Sequence, residues 1–376
     1  MQMIFDGLAE GGDVRVETIP SFLQSKRVGT AMGIVARWIG GGVLGHPWPL
    51  QSLLFWDRAH LRRLVRLIDD THPDTVYFDG VRTGAYLPML RRHFPKLRIV
   101  CDFDDLMSHR MANLAKERQP VSLGYLAKYV PAWIARTFIQ PLASTTIPRY
   151  EARALRQLEQ RIIADSQACV LVSSVESKML RDESSPEFAA RIRAIAPGIP
   201  VGNDRSPDGR IDRFVFIGTD GLLQNRRTIE YLVGLWARLK PARALHLYGK
   251  QKGDYAKTPG VIVHGFVQDV AEAYAPGSFM LAPSFVSGGV KTKVLEAFGH
   301  GVPVVGNETT FCGIDADTTG LLRDEQGLER LVTHPEGEAS ELAQLAAVAI
   351  GQARRSHAVD RLQAAWRDVV WPARAS

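Results

Sequence analysis

The feature that most constrains this chain is a rhythm that runs twice: short apolar segments of strand length alternate with longer segments whose apolar residues recur at helical spacing. Strands that read as unbroken apolar runs are buried on both faces, and a parallel sheet covered by crossover helices buries strands in that way. The chain is therefore expected to be α/β with parallel sheets. Its 376 residues ask for two domains, at roughly 150 residues each. Apolar residues make up 45%, enough to bury cores that offset chain entropy, which excludes a disordered chain.

In the first half, DVRVETI (Asp13 to Ile19) is expected as a strand and LLFWDRAHLRRLVRLIDDTHP as an amphipathic helix with Leu61, Leu64, Val65 and Ile68 on one face. DTVYFDG and LRIVCDFDD follow as buried strands, YEARALRQLEQRIIADSQ as a charged helix, ACVLVSS as a strand and VESKMLRDES as a helix. The segment 198–212, rich in Gly, Pro and Asp, reads as a linker. The pattern then restarts. RFVFIG, ALHLYG, VIVHG, FMLAPS and VPVVGN are expected strands; NRRTIEYLVGLWARLK, DVAEAYA and VKTKVLEAFGHG are expected helices. The domains so predicted are 1–197 and 213–355, with a terminal amphipathic helix over 356–376.

Three cysteines, Cys101, Cys169 and Cys312, lie far apart without a CxxC pair. A reduced, cytoplasmic protein is the expectation. No run approaches the roughly 18 uninterrupted apolar residues of a spanning helix, and Asp6 and Glu10 interrupt any leader-like start. A net charge of +6 is too mild to imply nucleic acid, but it suits anionic ligands or an anionic membrane face. Two stretches mix basic and large apolar residues: Lys26 to Trp56, with Arg37, Trp38, Trp48 and Trp56, and Tyr125 to Phe138, with Lys128, Tyr129, Trp133 and Arg136. They fit either buried aromatics or a membrane-surface patch at the inner face of the cytoplasmic membrane.

The segment FMLAPSFVSGGVKTKVLEAFGHGVPVVGN (Phe279 to Asn307) places a buried strand, a glycine loop and a helix start in succession. That order aims free backbone N–H groups and the positive helix end at one point, where an anion belongs. Gly288 and Gly289 let the backbone approach a pyrophosphate, Thr292 offers a hydroxyl, and Lys291 and Lys293 supply charge. The plain reading is a glycine loop with a Lys293–Glu296 surface pair. The functional reading gives Glu296 the two hydroxyls of a ribose.

With these segments in this order, the chain resembles the glycosyltransferase family 4 type with the GT-B fold: two Rossmann-like domains facing a cleft, with the C-terminal helix packing back toward the first. Within that family it looks like the bacterial sugar transferases of exopolysaccharide clusters. The segments that carry the resemblance are FVFIGTDGLLQNRRTIEYLV, VIVHGFVQDVAEAYAPGSFMLAPS and GGVKTKVLEAFGHGVPVV, and more weakly VCDFDDLMSHRM and RYEARALRQLEQRIIADSQACVLVSSVES. The resemblance implies that Glu296 binds the ribose of a nucleotide diphosphate sugar. Lys293, Gly218, Gly288 and Gly289 would sit at its diphosphate, and Gly265, Phe266 and Val267 would line its base. Asn225, Arg226, Val290, Lys291 and Thr292 complete the implied donor site, and Lys293, Glu296 and Asp102 are the catalytic candidates. Gly288 stands where the family has the first of two glutamates, and Arg226 or Arg227 substitutes for its usual Arg and Lys.

The implied activity is a retaining, metal-independent hexosyl transfer, without a cofactor, from such a donor to a lipid-linked saccharide in cell-surface polysaccharide synthesis. The alternatives are a nucleotide-sugar 2-epimerase on the same fold and a non-catalytic nucleotide-binding relative. Asp102, Asp104 and Asp105, with Ser108 and His109, suit three tasks: orienting an acceptor hydroxyl, binding a metal, or capping the next helix. Arg82 follows another strand, and His46 lies in a loop. A Rossmann-like domain opens with a strand and a glycine turn, whereas this chain starts on MIFDGLAEGG, read as helix. Its opening strand is expected to be absent.

Overall fold

The computed structural model describes residues 15–19, 37–38, 40–41, 47–117, 144–199, 205–286 and 288–372. The chain forms two compact units, Met1–Ile195 with Gln363–Ser376, and Ala196–Leu362.

In the first unit, four parallel strands, β1 (Thr75–Asp79), β2 (Arg98–Asp104), β3 (Ala168–Leu171) and β4 (Ile192–Ala194), pair in the order β1-β2-β3-β4. Five successive residues of β2, Ile99 to Phe103, are buried, as expected of a strand covered on both faces. Its helices include α1 (Leu50–Leu53), α2 (Arg58–Thr71), α3 (Leu87–His93), α4 (Met107–Lys116), α5 (Thr146–Asp165) and α6 (Ser174–Asp182). Leu155, Leu158, Ile162 and Ile163 of α5 enter the core with Tyr86, Leu90 and Phe103. Burying each such side chain stabilises the fold by about 1.5–3 kcal/mol relative to leaving it exposed. The part of the helix Val359–Val370 that belongs to this unit, from Gln363 on, docks on the sheet. Its Val370 and Val369 carbonyls accept from Thr75 Oγ1 (3.0 Å) and Arg98 Nη2 (2.7 Å), and Trp366 meets Tyr77 edge-on at 5.7 Å.

The helix α5 also buries two charges. Glu151 accepts from the Leu50 N–H at 2.9 Å and from Trp38 Nε1 at 2.9 Å, and Glu159 accepts from the Ser108 N–H at 3.0 Å. Each carboxyl therefore caps the start of another helix, α1 or α4, where the first N–H groups lack partners within their own helix. Burial raises the Glu151 carboxyl above its ordinary range and pushes Glu159 up to about 7.

Three expectations need correction. DVRVETI is not a strand: residues 15–19 join no sheet, Val16 is 69% exposed, and Glu17 pairs with Arg63 at 2.7 Å; Asp13 and Val14 lie outside the described residues. The long helix from Leu53 is interrupted at Asp57, whose extended backbone lets its side chain accept from Ala59 N and start α2 afresh. DVAEAYA forms only a single 3-10 turn, Val270–Glu272, with Asp269 as its cap and Pro276 shortly beyond.

In the second unit five parallel strands, β5 (Arg213–Ile217), β6 (Leu245–Tyr248), β7 (Val261–Gly265), β8 (Ser278–Leu281) and β9 (Val304–Val305), pair in the order β7-β6-β5-β8-β9. Around them lie α7 (Leu223–Leu239), α8 (Thr292–Gly299), α9 (Glu325–Thr333) and α10 (Ala339–Ser356). Phe214, Phe216, Trp236, Phe279 and Phe298 are buried in one core, and Trp236 meets Phe214 edge-on at 5.7 Å. From β5 the chain builds outward through β6 and β7, then returns to add β8 and β9 on the other side. The direction of winding thus reverses between β5 and β8. Outside the carboxyl ends of such a pair is where open α/β sheets bind ligands.

Glu159 generates a pH prediction. Its folded carboxyl stands at about 7 against an ordinary 4.5, so the folded state holds the proton more tightly. That contribution to stability is full below about 4.5 and is lost as pH rises through about 7. In Glu159→Gln the group cannot ionise and still accepts from Ser108. Between pH 4 and pH 8, chemical denaturation should show its first-unit stability shifting in its favour, relative to wild type, by on the order of 3 kcal/mol. Parallel pH profiles would contradict the assignment.

Candidate functional site

At the reversal point of the second sheet the chain leaves three adjacent strands, β5, β6 and β7, through glycines: Gly218, Gly249 and Gly265. Gly249 has φ +108°, and a Cβ on it would lie 2.7 Å from the Gly218 carbonyl oxygen, so no other residue fits. Its N–H donates to Gly265 O at 2.6 Å, and the Gly218 N–H donates to Tyr248 O at 2.9 Å. Bare backbone therefore forms this end of the sheet.

Lys293, in the first turn of α8, connects the two sides of the reversal. Its Nζ donates to Asn225 Oδ1, in the first turn of α7, at 2.5 Å and lies 4.4 Å from the centre of the Phe216 ring. Burial, aided by the positive charge of Lys291, lowers the Lys293 ammonium to about 8. Lys291 Nζ donates to Gly288 O at 2.7 Å and so folds back over the glycine loop, where Gly288 and Gly289 have φ of +106° and +62°. Val290 packs against the core, and Thr292 is exposed.

The loop between β8 and α8 is fixed from two directions. Thr228 Oγ1 donates to Pro283 O at 2.7 Å, and Asn307 brackets Ser284, accepting from its N–H at 3.1 Å and donating to its carbonyl at 2.9 Å. Glu296, one turn into α8, accepts from the Tyr274 hydroxyl at 3.1 Å. Tyr274 is buried and stacks on His300 at 4.8 Å. The Lys293–Glu296 pair of the plain reading is absent among the described ion pairs: the lysine faces Asn225 and the glutamate faces Tyr274.

Sequence reasoning missed Asp220. It follows β5, is 4% exposed, and its Oδ2 accepts from the N–H groups of Lys252 (2.7 Å) and Gly253 (2.9 Å) and from Tyr255. Burial opposes its charge, but these donors hold its carboxyl below the usual carboxylate range. It ties the loop after β5 to the loop after β6. Arg226 is exposed and donates from Nε to Asp220 O at 2.9 Å, while Arg227 donates to Phe285 O at 3.4 Å. Phe266 and Val267 sit beyond β7, at the edge of the sheet. Phe266 is 69% exposed, with Lys250 Nζ 5.7 Å from its ring centre.

In the first unit, Asp102 is 3% exposed, and both its oxygens are engaged, by the Tyr77 hydroxyl (2.7 Å) and the Asp104 N–H (2.9 Å). Burial pushes Asp102 and Asp105 up to about 6. Asp105 pairs with Arg110, whereas Asp104 is exposed with φ +62°. No aspartate caps α4: that task falls to Glu159, on a different helix. Among the described residues no group of acids, histidines or cysteines could hold a metal ion. Arg82 donates to Gln51 at 3.1 Å. Trp38 packs edge-on to Tyr150 at 5.0 Å, and Trp56 lies between Trp48 and Tyr86, so these aromatics turn into the unit. His46, Lys26 and the stretch Tyr125 to Phe138 lie outside the described residues. Among the described residues no helix is long and apolar enough to cross a membrane.

Residues 212–347 match the family model described as glycosyl transferases group 1. No curated protein sequence matches the chain. Among solved structures, a sucrose-phosphate synthase from Thermosynechococcus elongatus is similar at 15% identity and TM-score 0.55, over 84% of this chain and 80% of the other. HepE from Anabaena, solved with UDP-glucose, matches at 16% and TM-score 0.54, over 84% and 82%. TarM from S. aureus, solved with UDP, fondaparinux and an α-GlcNAc-glycerol, matches at 11% and TM-score 0.55, over 83% of this chain and 59% of its own. These likenesses are of fold, and the fold is GT-B.

Asp220 makes the site's loop geometry testable. Asp220→Ala leaves two loop N–H groups without their acceptor, a cost of about 1–3 kcal/mol. Hydrogen exchange at Lys252 and Gly253 should accelerate at least tenfold while β5 and β6 keep their protection. Unchanged exchange would show that Asp220 does not hold the loop.

Proposed function

We propose that this chain, which has the GT-B fold and whose residues 212–347 match the glycosyl transferases group 1 model, is a glycosyltransferase that moves a sugar from a nucleotide diphosphate donor to a saccharide acceptor with retention at the anomeric carbon. The observation that carries this reading is the placement of Lys293 in the first turn of α8, at the reversal point of the sheet and beside bare glycine backbone. In the transfer the bond from the anomeric carbon to the diphosphate breaks, a new bond forms to the acceptor oxygen, the acceptor hydroxyl's proton passes to an oxygen of the departing diphosphate, and negative charge grows on that diphosphate as it leaves. A positive helix end and an ammonium held close to it stabilise that charge. Losing one such donor typically costs on the order of 3 kcal/mol of barrier. The lysine supplies this without a metal, so we infer that turnover persists in excess EDTA.

Glu296 takes the ribose hydroxyls in this reading, with Tyr274 fixing one of its oxygens. Phe266, exposed beyond β7, offers a face to the base. Asp102 acts on the acceptor side through Asp104, whose backbone it holds in an unusual conformation. The acceptor is proposed to be lipid-linked and to belong to cell-surface polysaccharide. Arg58, Arg62 and Arg66 form an exposed stripe along α2 at four-residue spacing, which suits contact with an anionic membrane face.

HepE and TarM were solved with UDP, which makes UDP the first probe. A ligand at 100 times its dissociation constant adds about 2.7 kcal/mol, a rise of several degrees in Tm. UDP, GDP and ADP should be tried in turn, and no shift with any of them overturns the donor reading. Glu296→Ala is expected to weaken nucleotide binding at least tenfold with the fold retained; unchanged affinity sinks the ribose assignment. Flotation with anionic and neutral liposomes tests the membrane contact, and equal recovery from both removes it.

A further inference from the structure

Asn225 is 6% exposed, yet it lies in the first turn of α7, where an asparagine ordinarily faces solvent or the helix's own N–H groups. Its side chain instead reaches a residue far along the chain. The Asn225 Oδ1 to Lys293 Nζ distance is 2.5 Å, and the same nitrogen lies 4.4 Å from the centre of Phe216, itself 1% exposed. Room for this arrangement comes from Gly218, because a Cβ there would stand 2.7 Å from the Asn225 carboxamide carbon.

We propose that Asn225 is a positioning residue for Lys293, holding its ammonium over the Phe216 ring so that the remaining N–H donors and the whole of its charge are presented to the anion at the start of α8. The proposal rests on the reading of that place as a donor-diphosphate site. An ammonium has three N–H donors and no acceptor. The Asn225 carbonyl takes one and the aromatic face covers another side, which leaves an opening for a phosphate oxygen. A carboxylate in place of Asn225 would hold the ammonium equally well but cancel its charge; a neutral carbonyl positions it without cancelling it.

The surrounding charges agree with this division. Lys291, on the preceding loop, opposes the Lys293 charge. Glu296, on the same helix, accepts from Tyr274, and on α7 Arg226 and Arg227 donate to backbone carbonyls of Asp220 and Phe285. Among the described residues, Asn225 is thus the polar side chain to which the lysine donates.

The test uses the full chain labelled with carbon-13 at lysine Cε, the Lys293 resonance being identified by its loss in Lys293→Arg. Its titration midpoint should fall in Asn225→Leu and rise in Asn225→Asp, each by about half a unit or more. A midpoint unmoved in both overturns the proposal. A double-mutant cycle reads the same coupling in binding. Asn225→Leu should weaken UDP binding about tenfold in wild type, as expected for a lost hydrogen bond to a charged group, and have no further effect in Lys293→Gln. Equal loss in both backgrounds would mean that Asn225 acts on its own and would overturn the proposal. The two readings fail separately. If UDP, GDP and ADP all fail to bind while the midpoints move as stated, the donor assignment falls and the positioning role stands; if UDP binds and the midpoints do not move, the reverse holds.

Discussion

A parallel sheet whose winding reverses leaves a place outside its carboxyl ends where two crossovers depart in opposite directions, and the second unit is organised around that place. β5 and β8 are neighbours there, yet their following helices, α7 and α8, diverge. The first turns of the two helices meet through Lys293 and Asn225. Glycines at the ends of β5, β6 and β7 keep side chains out of the way. The crossing contact, Lys293 to Asn225, is possible only because those strands are adjacent, and it places a partly desolvated ammonium at the start of α8.

The first unit meets a related problem with different chemistry. Its helices α1 and α4 also begin with unsatisfied N–H groups, and buried glutamates on α5 supply the acceptors from outside. Buried carboxylates are costly; burial raises both groups, and Glu159, pushed up to about 7, is partly protonated near neutral pH, which lowers that cost while keeping an acceptor in place. The arrangement makes α5 more than an apolar cover for the sheet, since it determines where two other helices start. Asp102 follows the same logic at the end of β2, with both of its oxygens fixed by neighbours.

Most strands and long helices were legible because apolar periodicity is a local property: β2, β5 and α5 lie where the pattern puts them. Where expectation failed, the causes were of two kinds, a missing partner and a local competitor. The pattern in DVRVETI has the strand period, but Val16 faces solvent and the segment has no pairing strand. Asp57 has the residue type of a cap, and capping split a helix that periodicity alone would continue. Of the site, the glycine loop, the lysines and Glu296 were visible because a strand, glycines and a helix start follow one another in sequence. Asp220, Tyr274 and Phe216 were not, since nothing near them in the chain shows what they touch.

The sequence by itself determined the class of the fold, the parallel sheets and the position of the glycine loop, because those follow from composition and spacing within a few tens of residues. Tertiary structure alone decided the partners: Lys293 with Asn225 and Phe216, Glu296 with Tyr274, Asp220 with the loop after β6, and Glu159 with the start of α4. The reason is physical. A buried polar group must find its hydrogen bond in whatever element packs beside it, and which element that is depends on strand order, a long-range property that no local pattern records.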